Sequence, residues 1–173
     1  MLERIMVIGC PGAGKSTFAR ALRDITGLPL HYLDQIWHRA DRTNISREEF
    51  DGALHRILEG ERWIIDGNYN RTLEMRLQRC DTVFWLDYPL DVCLAGAQSR
   101  VGQTREDMPW VEETLDPAFR EWIENFARDH RPRISALLEQ YGEGKEIIIF
   151  KSRGEAAAWL QGLPQRINRH KGE

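Results

Sequence analysis

Short apolar runs and longer amphipathic stretches alternate along the whole chain. Arg4 to Gly9 (RIMVIG) is a nearly continuous apolar run, the pattern of a strand covered on both faces. Phe18, Leu22 and Ile25 then recur at helical spacing and predict a helix over Lys15 to Thr26. Leu28 to Leu33 predicts a second strand, opened by Gly27 and Pro29. Ser46 with Glu49 three residues later is a capping box, and it starts a helix that carries Phe50, Leu54, Ile57 and Leu58 and stops at Gly60. Trp63 to Asp66, Thr82 to Asp87 and Lys145 to Phe150 predict three more strands. Between them lie a short arginine-rich helix over Asn70 to Cys80 and a helix from Pro89 to about Val101. A polar stretch, Gly102 to Trp110, follows. Asp116 as N-cap and Pro117 as first helical residue then open a helical pattern that reaches about Tyr141, with Pro132 predicting a kink or break. A last helix is predicted over Arg153 to Leu160, and the polar tail from Pro164 is expected to fray.

Five apolar strands separated by helices predict an α/β fold with a parallel sheet covered on both faces. Right-handed crossovers would bring the carboxyl ends of the strands to one edge, where ligands bind. The 173 residues suit one domain, 1–173, with no repeat or linker. Apolar residues make up 42% and charged residues 29%, the balance of a soluble globular protein. No apolar run approaches the length of a membrane helix, and the N-terminal run is too short and too charged for a signal peptide, so a cytoplasmic location is expected. Cys10, Cys80 and Cys93 have no metal-ligand spacing and predict reduced thiols, with Cys10 a small filler. The net charge of −3 argues against a nucleic-acid partner.

The chemistry concentrates in Gly9-Cys10-Pro11-Gly12-Ala13-Gly14-Lys15-Ser16-Thr17, which fits G-x-x-x-x-G-K-[ST]. Successive backbone N–H groups can wrap a polyphosphate only where the loop bends tightly and carries little bulk. Here the motif also follows an apolar strand and opens an amphipathic helix, whose positive end would face the phosphates. ATP is the expected nucleotide, with Lys15 on its β- and γ-phosphates and the Ser16 hydroxyl on Mg²⁺. A second acid is needed near the metal. Asp66 and Asp87 each end an apolar strand, and sequence position alone does not separate them.

The segment Asp66-Gly67-Asn68-Tyr69-Asn70-Arg71-Thr72 resembles the adenylate kinase motif D-G-F-P-R-T, although Asn68-Tyr69-Asn70 replaces Phe-Pro and adds one residue before the arginine. That resemblance implies a metal-side role for Asp66 and an acceptor role for Arg71. The P-loop, Leu33-Asp34-Gln35-Ile36-Trp37, Trp63 to Tyr69, Thr82 to Pro89 and Phe119 to Pro132 together resemble a narrower group, the adenylate-kinase-related proteins labelled DNA topology modulation proteins. This group implies the three-layer P-loop fold with a five-stranded parallel sheet of order 2-3-1-4-5, and a short lid over about residues 101–115. It implies an arginine at the helix-to-lid junction, which is Arg100, with Arg105 also flanking the polar stretch. Asp34 would end the second strand on the acceptor side, where it either orients or deprotonates an acceptor hydroxyl or caps the next segment. Trp37 lines an acceptor pocket or simply packs. His38 is not a candidate catalyst. Arg128, Arg131 and Arg133 read as a solvated helix face. Lys151 to Gly154 is a candidate border of the adenine ring.

These residues predict an ATP- and Mg²⁺-dependent kinase acting on a nucleotide-like or other small-molecule acceptor, without membrane attachment, as a monomer or homodimer. Two other readings remain open on sequence. One is a nucleotide-dependent regulator or ATPase associated with DNA topology, and the other is a nucleotide-binding module without transfer activity.

Overall fold

The computed structural model describes residues 2–170. Met1 and residues 171–173, the two ends of the expected domain and the last of the polar tail, lie outside the described residues. Five strands, β1 (Arg4–Gly9), β2 (Leu30–Tyr32), β3 (Trp63–Asp66), β4 (Thr82–Leu86) and β5 (Glu146–Phe150), form one parallel sheet in the order β2-β3-β1-β4-β5. The order is the one that the resemblance implied. β1 lies at the centre, with Val7 opposite Asp66 of β3 and Phe84 of β4. Its residues Ile5, Met6, Val7 and Ile8 are fully buried, which explains the unbroken apolar run.

Helices α1 (Lys15–Thr26), α2 (Leu33–Trp37), α3 (Arg47–Leu58), α4 (Leu73–Leu77), α5 (Leu90–Ser99), α6 (Pro117–Asp129), α7 (Arg131–Tyr141) and α8 (Arg153–His170) cover both faces of the sheet. α1 packs on α8, and Phe18, Phe84, Phe150 and Trp159 meet between them and the sheet with ring centroids 4.7–6.4 Å apart. The capping box of α3 forms as expected, with Ser46 Oγ accepting from the Glu49 N–H and the Glu49 carboxylate accepting from the Ser46 N–H. No described helix is long and apolar enough to cross a membrane.

Three local expectations are corrected. The second strand is only Leu30–Tyr32, and Leu33 to Trp37 turns into α2, so Asp34 sits in the first turn of a helix and does not end a strand. The stretch Asn70 to Cys80 is a 3₁₀ turn, Asn70–Thr72, followed by the five-residue α4. The last helix does not stop at Leu160 but runs through Pro164 to His170. Pro164 removes one N–H from the helical ladder, yet Leu163 beyond the predicted end is buried and Ile167 packs on the core, and that burial outweighs one lost bond. The break predicted at Pro132 does occur, with His130 as the joint between α6 and α7.

Candidate active site

Strands β1 and β3 deliver their carboxyl ends to the mouth of a cavity of about 1080 Å³. The loop after β1 is shaped by its glycines and by its seat. Gly12 and Gly14 have φ of +85° and +97°, in the region that disfavours side chains. A Cβ at Gly12 would come within 1.9 Å of the Cys93 carbonyl oxygen, so only glycine lets the loop rest on α5. The contact is reciprocal, since a Cβ at Gly96 of α5 would meet the Gly12 carbonyl oxygen at 1.9 Å. The Arg153 guanidinium donates to that same carbonyl at 3.2 Å. Asn68 staples the entrance of the loop, accepting from the Gly9 N–H at 3.0 Å and donating to the Gly9 carbonyl.

Pro11, Gly12, Gly14, Lys15, Ser16 and Thr17 line the cavity, whereas Gly9 and Ala13 stand behind it as supports. Lys15 Nζ donates to the Cys10 carbonyl at 3.3 Å. Burial pushes its ammonium below the usual lysine range, and the Asp66 carboxylate opposes that shift. Ser16 Oγ donates to Asp66 Oδ2 at 2.5 Å. The Asp66 carboxyl is pushed up to about 6 by burial, against the pull of Lys15 and the Ser16 hydroxyl. Its other oxygen, Oδ1, is buried and has no hydrogen-bond partner. A hard cation with its own water ligands would satisfy that oxygen, so the Ser16 hydroxyl and the Asp66 carboxylate fit Mg²⁺. Asp87 sits elsewhere. It accepts from Arg131 at 2.8–3.1 Å and from Lys151 at 2.5 Å, outside the cavity lining.

Residues 100–116, between α5 and α6, form no regular element and lie against α1 and α2. Gly102 N–H donates to the Glu112 carbonyl at 2.7 Å and closes the segment on itself. Asp107 is buried, 3.8 Å from the Arg20 guanidinium and 3.3 Å from that of Arg105. Gln35 of α2 donates to the Glu106 carbonyl at 2.8 Å, and Arg23 of α1 pairs with the Glu106 carboxylate. Arg100 lines the cavity beside this segment, and its Nε is buried without a partner. Burial pushes its guanidinium down, and the nearby charge of Arg105 adds to the effect.

Across the cavity, Asp34 accepts from the Tyr69 hydroxyl at 2.7 Å. Trp37 meets Tyr69 edge-on at 6.4 Å. The Asn70 amide lies 2.8 Å from His130 Nδ1, the His130 ring lies 4.6 Å from Trp122, and Trp122 stacks parallel to Phe119 at 6.3 Å. All of these line the cavity. His38 does so too, held by Asn44 at 2.7 Å and by the Trp110 ring.

Arg71 is not brought into this set. Its guanidinium makes a bidentate pair with Asp51 of α3 at 2.6 and 2.9 Å, half-exposed and outside the cavity lining. The arginine buried behind the same loop is Arg76, which donates to the carbonyls of Gly67, Asn68 and Tyr69 and so holds the shape of residues 67–72. Burial pushes its guanidinium down to about 9. Arg128 pairs with its neighbour Asp129 on the surface, and Arg131 serves Asp87 and covers the Trp85 ring. Lys151 is taken by Asp87, and Arg153 alone of the Lys151 to Gly154 stretch lines the cavity.

Sequence reasoning gave no role to Asn68, Tyr69, Asn70, Arg20, Asp107 or His130. Arg20 carried a signal, because it lies four residues after Ser16 and therefore on the same face of α1. His130 carried none, since its partner Asn70 is 60 residues away.

No family model matches the chain. Adenylate kinases of Thermotoga petrophila and Thermotoga maritima are each 32% identical over 98 residues, which is 55% of this chain and 44% of those proteins. The chain thus spans less than half the length of the curated relatives it matches. Among solved structures, shikimate kinase from Aquifex aeolicus superposes with a TM-score of 0.58 at 17% identity over 97% of this chain and 98% of that one. Shikimate kinase from Acinetobacter baumannii in complex with shikimate gives 0.55 at 18% identity, over 100% and 97% of the two chains. These relatives give no support to the narrower label of DNA topology modulation. The chain has the three-layer, five-stranded fold of the P-loop kinases.

Proposed function

We infer that the chain transfers the γ-phosphoryl group of ATP to a hydroxyl oxygen of a small acceptor. The observation that carries this reading is the Ser16–Asp66 pair beside Lys15, facing Asp34 across one cavity. The backbone amides of Gly12 and Gly14 to Thr17 and the Lys15 ammonium hold the phosphates. Ser16 and Asp66 hold Mg²⁺, which when bound supplies charge neutralisation at the β- and γ-phosphate oxygens. Arg100 adds a guanidinium to the charge that builds up on the transferring group. Asp34 orients the acceptor hydroxyl and takes its proton, with the Tyr69 hydroxyl fixing the carboxylate. Residues 100–116 cover the nucleotide side and exclude water.

The test is ADP release from ATP·Mg with a panel of small acceptors, run beside Lys15→Ala. Acceptor-dependent release in the parent chain, lost in the variant with the melting temperature kept, supports the reading. Equal release by both proteins would discard it.

A further inference from the structure

The two halves of the cavity differ in charge. Among the described residues, five cations line it: Lys15, Arg20, Arg100, Arg105 and Arg153. Each is tied to the phosphate loop or to the segment that covers it. Lys15 donates to the Cys10 carbonyl, Arg153 to the Gly12 carbonyl, and Arg20 to Thr17 Oγ at 3.2 Å. Arg105 is held by Asp107 and Glu112 inside the covering segment, and Arg100 closes α5 next to it.

The opposite wall is a chain of contacts from Phe119 through Trp122 and His130 to Asn70, and from Tyr69 to Trp37 and Asp34. No lysine or arginine contributes to these contacts among the described residues. The arginines next to these residues in sequence are committed elsewhere, Arg71 to Asp51, Arg120 to Glu124 and Arg131 to Asp87, and the buried Arg76 donates to three backbone carbonyls. Recognition of a phosphate or carboxylate on an acceptor calls for a fork of guanidinium donors, and an anion here would face the Asp34 carboxylate instead. Rings offer stacking faces, and Asn70 Oδ1, buried and without a partner, offers an acceptor for one O–H or N–H.

We propose that this wall binds a ring-bearing alcohol that carries no phosphate or carboxylate group. The proposal rests on the phosphotransfer reading and narrows it. The acceptor ring packs against Trp37 and Trp122, and a polar edge reaches Asn70. Its hydroxyl oxygen bonds to the γ-phosphorus as the bond to the β–γ bridging oxygen breaks. ADP leaves with that electron pair, and the hydroxyl proton passes to Asp34. An acceptor with its own phosphate, as in transfer to a nucleoside monophosphate, is thereby disfavoured, and so is one with a carboxylate.

The test uses matched pairs that differ only in the anionic group: adenosine against AMP, and the methyl ester of shikimate against shikimate. Measurements are made at pH 8. Two readouts are taken with the full chain. One is ADP release with ATP·Mg, and the other is quenching of tryptophan fluorescence without ATP, whose Trp122 share is the part lost in Trp122→Ala, whether or not transfer occurs. The expected result is a preference of about tenfold or more for the uncharged member of a pair. Trp122→Ala is expected to weaken that member by a similar factor while leaving the KM for ATP in place, and Trp122→Phe to recover most of the loss. Preference for the anionic member by either readout, or no binding of either member of any pair, overturns the proposal. A shift of the melting temperature by ATP·Mg is scored separately, so a failed acceptor wall and a failed nucleotide site give different results.

Discussion

Single side chains divide sharply by what holds them. Among the described residues, Lys15 has only the Cys10 carbonyl as a hydrogen-bond partner. Lys15→Ala is therefore expected to lower phosphoryl transfer by about 10²- to 10³-fold, as removal of one charge-stabilising donor does, with an unchanged melting temperature. Asp66 and Asp87 look alike in the sequence but are expected to fail differently. Asp66→Asn leaves β3 intact and removes the carboxylate that faces Ser16, so turnover should fall and the Mg²⁺ concentration for half-maximal rate should rise. Asp87→Asn should instead leave the Mg²⁺ requirement in place and cost about 1 kcal/mol of stability, because the amide keeps one acceptor oxygen but loses the charge that Arg131 and Lys151 share. Titrations of rate against Mg²⁺ and urea melts of the two variants separate the roles. An Mg²⁺ requirement raised more by Asp87→Asn would mean the other acid serves the metal.

Asp87 also works between elements, since it ties the end of β4 to α7 and to the end of β5. Burial pushes its carboxyl up, but the hydrogen bonds from Arg131 and Lys151 outweigh that and hold it below the ordinary carboxylate range. A depressed folded value means that the unfolded chain takes up the proton first as pH falls. The stabilisation is thus fully present above about pH 4, the ordinary Asp value, and drains away as pH drops through the lower folded value. Urea midpoints measured from pH 6 down to pH 2.5 should show a shallower acid-side loss in Asp87→Asn than in the parent chain. A parallel loss would show that the ties contribute nothing.

The five strands and the longer helices were legible in the sequence. β1 and the helix after it were legible because the strand is buried from Ile5 to Gly9 and the glycine loop between them has a fixed spacing. α2 was not, because five residues are too few to show a period, and Leu33 and Trp37 suit a strand as well as one turn and a half of helix. α8 was cut short because Pro164 is a strong local signal, and only the tertiary burial of Leu163 overrides it. The acceptor wall was partly visible. Asp34 and Trp37 were noticed, but Asn70 and His130 form a pair only because the 3₁₀ turn after β3 and the end of α6 meet in space. Arg71 was misplaced by a motif match, and the extra residue before it is the physical reason. The turn that contains it points the arginine at α3, where Asp51 takes it.

At the scale of the molecule, the segment from Arg100 to Asp116 is docked through a few charged contacts to α1 and α2, with Asp107 as the buried one. Asp107→Ala leaves Arg20 and Arg105 without their shared carboxylate. It is expected to raise the KM for ATP and to speed amide hydrogen exchange over residues 101–115, with exchange in β1 and β4 unchanged. Exchange that speeds across the whole sheet would mean that Asp107 supports the core and not the covering segment.

Gly96 sits mid-helix and lines the cavity, four residues before the junction that carries Arg100. Replacing it with alanine ought to favour a helix, yet the added methyl would strike the Gly12 backbone of the glycine loop. That loop and the root of its cover therefore share one footing, and α5 cannot tilt without disturbing both. Whatever swings the cover must bend beyond Ser99, because any rotation begun earlier would pry open the cradle it is meant to seal.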